Sequence, residues 1–134
     1  MFITRECDYA VRVVRALKNG KKLSVTEICE REEITAPFAY KILKKLQKAG
    51  IVTGFRGAKG GYTLKKPLKE LDLLTIYMAI DTDLFLNDCL EPGYSCSRNE
   101  GDEMCNIHHE LGEVQAELYR LLKRKNLAEL FYTE

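Results

Sequence analysis

No apolar run in the 134-residue sequence approaches the roughly 18 residues that a membrane-spanning helix requires, so an integral membrane protein is excluded. The opening residues, Met1-Phe2-Ile3-Thr4-Arg5-Glu6, lack the apolar core and small-residue cleavage site of a secretory leader. A cytoplasmic protein is therefore expected. There is no internal repeat and no low-complexity segment, and with 46% hydrophobic and 31% charged residues neither disorder nor a collagen-like fibre fits. An even cysteine count is missing too. The five cysteines, at 7, 29, 89, 96 and 105, argue against a structural disulfide framework in a reducing compartment. Nor is there an excess of charge of one sign, since the formal net charge is +1.

That last absence is a cancellation. Residues 1–66 carry 15 Lys+Arg and 6 Asp+Glu, whereas residues 67–134 carry 6 and 14. The first part is +9 and the second −8, an asymmetry that points to a polyanion-binding half joined to something else. The chain is accordingly divided into a basic part, residues 1–66, and an acidic part that holds three of the cysteines, residues 67–134.

Helical spacing of Tyr9, Ala10, Val13, Val14 and Leu17 predicts a first helix, stopped by Asn19-Gly20. Ser24 with Glu27 three residues on is a capping box for a short second helix, ending near Arg31 or Glu32. Thr35 is the expected N-cap of a third helix with Pro37 in its first turn. Phe38, Ile42, Leu43 and Leu46 are its expected buried face, and Gly50 ends it. Two helices joined by a tight turn, the second bearing Lys41, Lys44, Lys45 and Lys48, form a helix-turn-helix pattern.

Residues 51–55 and 62–64 read as strands flanking the turn Arg56-Gly57-Ala58-Lys59-Gly60-Gly61. A basic, glycine-rich hairpin directly after a helix-turn-helix is the layout of a winged helix. Its glycines permit positive φ and close approach to a phosphate or groove wall, and Arg56 is placed to enter a minor groove. The plainer alternative makes Gly60-Gly61 a tight turn and Lys59 a solvated loop residue. After Pro67, Leu71, Leu73, Leu74, Ile76, Tyr77 and Ile80 describe a fourth helix. Later, Ile107, Leu111, Val114, Leu118 and Leu121 recur as an a/d seam. That seam suggests a long dimerisation helix, the alternative being a helix packed within its own chain. The fold class is thus mainly α with a small β-hairpin wing.

Between these helices, residues 87–106 show no helical period and hold Cys89, Cys96 and Cys105, followed by His108. Thiolates in an irregular loop bind iron–sulfur clusters or zinc. Redox-switching thiols without metal are the further alternative. An enzyme with Cys105 and His108 as nucleophile and base lacks an orienting carboxylate and an oxyanion-hole motif, so no enzymatic activity is expected. A metal-binding electron-transfer module is another possibility, but it would have no use for a major-groove helix. Cys29 falls on an apolar helix face and reads as a small core residue. Cys7 reads as a core or surface thiol.

The stretch Ser24 to Leu64, with Ile34-Thr35 and the hairpin RGAKGGYTL, together with the cysteine loop and the final long helix, resembles the IscR/NsrR-type bacterial transcription regulators (the Rrf-two family). The resemblance runs from Asp8-Tyr9-Ala10 to the tail from Asn126 to Leu130. It implies a homodimeric winged-helix repressor or activator on a palindromic double-stranded DNA operator, and no membrane. By position, the base-reading helix starts at Thr35 and includes Pro37, Tyr40 and Lys41, supported by Lys44 and Lys45. The wing contributes Arg56, Lys59, Gly60 and Tyr62. Several members carry glutamate at the position of Tyr40, which implies a different DNA sequence preference here. The resemblance further implies a 2Fe–2S or 4Fe–4S cluster on Cys89, Cys96 and Cys105, sensing iron–sulfur, redox or nitric oxide status. The fourth ligand would be His108 or Asp8 of the partner subunit. The eight residues between Cys96 and Cys105 exceed the five usual in the family, which leaves cluster type and ligation open.

Overall fold

The computed structural model describes residues 3–81, 83–99 and 105–132. Along the chain run α1 (Arg5–Ala16), α2 (Val25–Glu32), α3 (Ala36–Lys48), β1 (Val52–Phe55), β2 (Gly61–Leu64), α4 (Leu73–Ile80), α5 (Asn106–Lys123) and α6 (Leu127–Tyr132). Single 3-10 turns precede α4 and punctuate the cysteine segment. Among the described residues no helix is long and apolar enough to cross a membrane.

The caps explain where the first helices begin. Thr4 Oγ1 accepts from the Cys7 N–H at 3.3 Å. The capping box at α2 is complete, with Ser24 Oγ accepting from Glu27 N–H and Glu27 Oε1 from Ser24 N–H, satisfying two donors that would otherwise be orphaned. Glu33, in the left-handed region at φ 55°, turns the chain sharply from α2 into α3. At the far end of α3, Gly50 at φ 75° lets the chain leave for the wing.

α1, α2, α3 and α4 enclose the core. Val13, Val14, Leu17, Ile28, Ile42, Leu43 and Leu46 are buried, and Leu71, Ile76, Ile80, Leu84 and Leu127 lie in the same cluster. Side chains on both sides of Pro67 thus share one interior. Each large aliphatic side chain so buried contributes about 2 kcal/mol of transfer free energy. Phe38 departs from expectation. It stays 40% exposed because it lies on the flank of α3 facing α1, where it meets the Tyr9 ring edge-on at 5.6 Å.

The strands pair antiparallel from Val52↔Leu64 to Phe55↔Gly61. Leu23 adds a third partner, its N–H donating to the Tyr62 carbonyl at 3.0 Å and its carbonyl accepting from the Tyr62 N–H at 2.8 Å. This pairing explains the second wing glycine. A Cβ on Gly61 would sit 2.4 Å from the Leu23 carbonyl oxygen, and one on Gly60 would sit 2.6 Å from the Phe55 carbonyl oxygen. The doublet serves close approach within the chain itself.

α5 rests on the rest of the molecule along one face only. The Leu86 N–H donates to Gln115 Oε1 at 2.9 Å, and Tyr119 donates to the Leu84 carbonyl. The adjacent face carries the apolar seam. Ile107, Val114 and Leu121 are 68%, 47% and 43% exposed. After α5 the tail folds back as α6, and the Leu127 N–H donates to the Leu71 carbonyl at 2.8 Å. Asn126 and Glu129 cap α6 reciprocally, each side chain accepting from the other's N–H at 2.9 Å.

Candidate nucleic-acid interface and cysteine site

α3 buries Ala39, Ile42, Leu43 and Leu46. Helical geometry then fixes what faces outward: Pro37, Lys44 and Lys48 form the centre of the exposed stripe, with Tyr40 and Gln47 on one flank. Tyr40, 57% exposed, borders a groove shared with Ser24 and Thr26 at the start of α2 and with Phe55, Gly57, Gly60, Gly61 and Tyr62 of the wing. Thr35 takes the N-cap position, yet its side chain makes no capping hydrogen bond. Its hydroxyl, beside the unpaired amides of the first turn, is left to donate elsewhere, and that end of the helix favours an anion.

Arg56 and Lys59 are fully presented on the wing tip. Beside the wing turn, Lys22 Nζ lies 5.4 Å from the Phe55 ring centroid, adding a cation–π contact and a charge to the same side. Sequence reading passed over Lys22, Thr26 and Gln47. Lys48, one of the lysines of the helix-turn-helix pattern, stands one turn on from Lys44, whereas Lys22 and Thr26 join the face only through the Leu23–Tyr62 pairing.

Two of the expected helix lysines point elsewhere. Lys41 Nζ lies 2.6 Å from Glu6 Oε1, Lys45 Nζ lies 3.0 Å from Glu6 Oε2, and Lys45 also donates to the Ile80 carbonyl at 3.2 Å. Both lysines therefore lean toward α1 and α4. Their hydrogen bonds hold the Glu6 carboxyl below its usual range, against a smaller opposing effect of desolvation.

The three loop cysteines are all half-buried. Cys89 accepts a long contact from Asn87 Nδ2 at 3.5 Å, and the Cys105 N–H donates to Asn99 Oδ1 at 3.0 Å. Cys105 occupies the N-cap of α5, which places His108 in that helix's first turn. His108 Nδ1 is buried and has no hydrogen-bond partner among the described residues, and an orphaned buried nitrogen is costly unless something binds it. Asp8 is exposed at the start of α1 and pairs with Arg12 Nε at 3.1 Å. Among the described residues no three Cys, His, Asp or Glu side chains come together closely enough to hold a metal ion. The donor types suit a cluster or zinc, while the described residues bring no three of them together. Cys7 is fully buried beside Thr4. Cys29 is half-buried on α2, and burial, with a lesser effect of Glu30, pushes its thiol upward.

A family model described as "Rrf2: Iron-dependent Transcriptional regulator" matches residues 3–133. Protein aau3 of Rhizobium meliloti is 34% identical over 69% of this chain, a match that spans 62% of aau3 itself. The HTH-type transcriptional regulator NsrR of Oceanobacillus iheyensis is 27% identical over 100% of this chain and 92% of its own length. Among solved structures, CymR, described as the global cysteine regulator of B. subtilis, superposes with a TM-score of 0.75 at 19% identity, covering 98% of both chains. The IscR of T. potens superposes with a TM-score of 0.70 at 20% identity, covering 95% of this chain and 83% of that one. At these identities the structural likeness is one of fold, a winged helix with a long helix appended.

Proposed function

Because the chain belongs to the Rrf2 family of transcription regulators, we propose that it works in the cytoplasm as a homodimer on a palindromic double-stranded DNA site. The observation that carries this reading is the exposed stripe of Pro37, Tyr40, Lys44 and Lys48 on α3, set beside a wing that presents Arg56 and Lys59. In it, α3 enters the major groove and the wing reaches the neighbouring minor groove. Thr35 donates to a phosphate, Tyr40 reads base edges, and Lys44 neutralises backbone charge. Gly60 and Tyr62 hold the wing at the groove's edge. The exposed seam of α5 pairs with its counterpart in the second chain, and two α3 helices then meet half-sites roughly 34–36 Å apart. Binding measured by fluorescence anisotropy should weaken steeply with salt, and Tyr40→Ala should change sequence preference. Unchanged preference would overturn the assignment of the base-reading face.

The same reading extends to sensing. Cys89, Cys96 and Cys105 would hold an iron–sulfur cluster, with His108 or Asp8 of the partner subunit as fourth ligand. The orphaned His108 Nδ1 supports a ligand role for that imidazole. A bound cluster would supply a centre that reacts with oxidants and nitric oxide. The 3-10 turn Asp88–Leu90 precedes Glu91 and lies against α5, with Leu90 close to Gly112, so a change at Cys89 is transmitted to the helix that sets dimer geometry. Anaerobically purified protein should be brown and contain iron and sulfide, and Cys96→Ala should lose the colour. Colourless protein with stoichiometric zinc would overturn the cluster.

A second reading is a thiol switch without a cluster. It needs only two thiols to meet, and among the described residues no three candidate ligands come together. Oxidation would then join two of the three loop cysteines, detectable as a two-dalton mass loss per disulfide in colourless protein (about 1 Da per hydrogen removed from each thiol).

A further inference from the structure

Glu6 lies on α1, outside the stripe and outside the wing, yet it engages two of the lysines of α3. Its carboxylate receives Lys41 on Oε1 at 2.6 Å and Lys45 on Oε2 at 3.0 Å. The three partners differ in how well they are anchored. Lys45 is held a second time by the Ile80 carbonyl, and the Glu6 side chain is only 25% exposed. Lys41, 57% exposed, is the most exposed of the three, and it sits one residue after Tyr40 on the flank of α3 turned toward α1. Phe38, Lys41 and Lys45 follow one another along that flank at three- and four-residue steps, and Tyr9 and Glu6 on α1 receive the first and the other two respectively.

We propose that Glu6 is a positioning residue that holds Lys41 away from the DNA backbone, leaving Tyr40 and Lys44 to meet the groove. The inference rests on the DNA-binding reading of α3. Two lysines and one carboxylate leave a single net positive charge on this flank of the helix, where the lysines alone would supply two. A phosphate contact from Lys41 would favour every DNA sequence equally, because phosphates carry no sequence information. Holding that lysine back lowers affinity for operator and arbitrary DNA by a similar factor, and leaves the choice between them to the groove contacts. Its effect is therefore on overall affinity and on its salt dependence.

The test is the salt dependence of DNA binding, measured by anisotropy on a selected operator and on an unrelated duplex. Each phosphate contact adds roughly 0.9 to the slope of log affinity against log salt. Glu6→Gln keeps the size of the side chain and removes its charge. It should steepen the slope by about 0.9 per protomer, which is an extra loss of about 3-fold per protomer between 50 and 200 mM salt. It should also raise affinity for the unrelated duplex and for the operator by similar factors. Adding Lys41→Gln to Glu6→Gln should return the slope to its starting value, a reversal that a merely loosened α1–α3 contact would not give. An unchanged slope in Glu6→Gln, or a steepened slope that Lys41→Gln does not reverse, overturns the proposal.

A second comparison leaves Glu6 in place and so does not depend on that variant folding. Lys44→Met should flatten the slope by about 0.9 per protomer, and Lys41→Met by less than half as much. Equal losses overturn the proposal while leaving DNA binding by α3 intact. Absence of salt-dependent DNA binding in the unaltered protein would instead overturn the DNA-binding reading itself.

Discussion

The Tyr119 hydroxyl donates to the Leu84 carbonyl across 2.6 Å, tying the middle of α5 to the segment that leads into the cysteine residues. Leu84 is 2% exposed, so its carbonyl has little access to water, and burial also raises the Tyr119 phenol above its ordinary pKa. Tyr119→Phe removes the donor and keeps the ring. The expected cost is about 1 kcal/mol, the net value of one hydrogen bond with a shielded acceptor. Urea denaturation followed by far-ultraviolet circular dichroism reads it, and a midpoint equal to that of the unaltered protein would show that the bond carries no weight.

The wing gives a sharper steric prediction. A methyl group on Gly61 would press within 2.4 Å of the Leu23 backbone oxygen, and backbone cannot swing aside as a side chain can. Gly61→Ala should therefore break the Leu23–Tyr62 pairing at a cost of about 2 kcal/mol. Faster hydrogen exchange at the Leu23 and Tyr62 amides reports it locally. Retained protection at both amides would contradict the role given to this glycine.

Leu127 opens α6 and is completely buried, although it lies far along the chain from the helices it packs on. Leu127→Ala should cost about 3 kcal/mol, a typical large-to-small penalty in a core that cannot fully collapse. Thermal unfolding measures it. A loss below about 1 kcal/mol would mean that the tail frays in solution.

On α5, Val114 and Leu121 point away from their own chain, with Glu110, Glu113 and Glu117 along the same groove. In the proposed dimer the apolar pair is covered. Val114→Glu combined with Leu121→Glu should yield a monomer of unchanged helicity in sedimentation velocity, because neither side chain belongs to the core. A dimer that survives both changes would place the interface elsewhere.

Most of the secondary structure was legible in local chemistry. Ser24 with Glu27, Thr35 before Pro37, and Gly50 mark helix ends through a capping box, a proline in the first turn and a positive φ, all of which involve neighbours only. Tyr40 enters the sequence reading only through the family resemblance, and its exposure follows from the apolar residues that α3 buries on the opposite side. Phe38 was misjudged for the converse reason. It is apolar, but its position relative to Ile42 and Leu46 puts it at the edge of the buried arc, and only the arrival of Tyr9 from α1 defines its surroundings. Leu127 was read as part of a tail, since a short apolar segment near the end of a chain carries no sign of what it will pack on.

The sequence by itself determined the helix boundaries, the hairpin, the charge split and the cysteine spacing, all of which rest on interactions or counts among near neighbours. Tertiary structure alone decided which charges are spent and which remain available. Lys41 and Lys45 look like Lys44 in the sequence. They differ because Glu6, on another helix, meets two of them and cannot reach the third. It also decided that Gly61 is required by Leu23, and that the α5 seam faces outward while Tyr119 faces in. Such pairings depend on how helices cross, and crossing is set by the whole packed core rather than by any one segment.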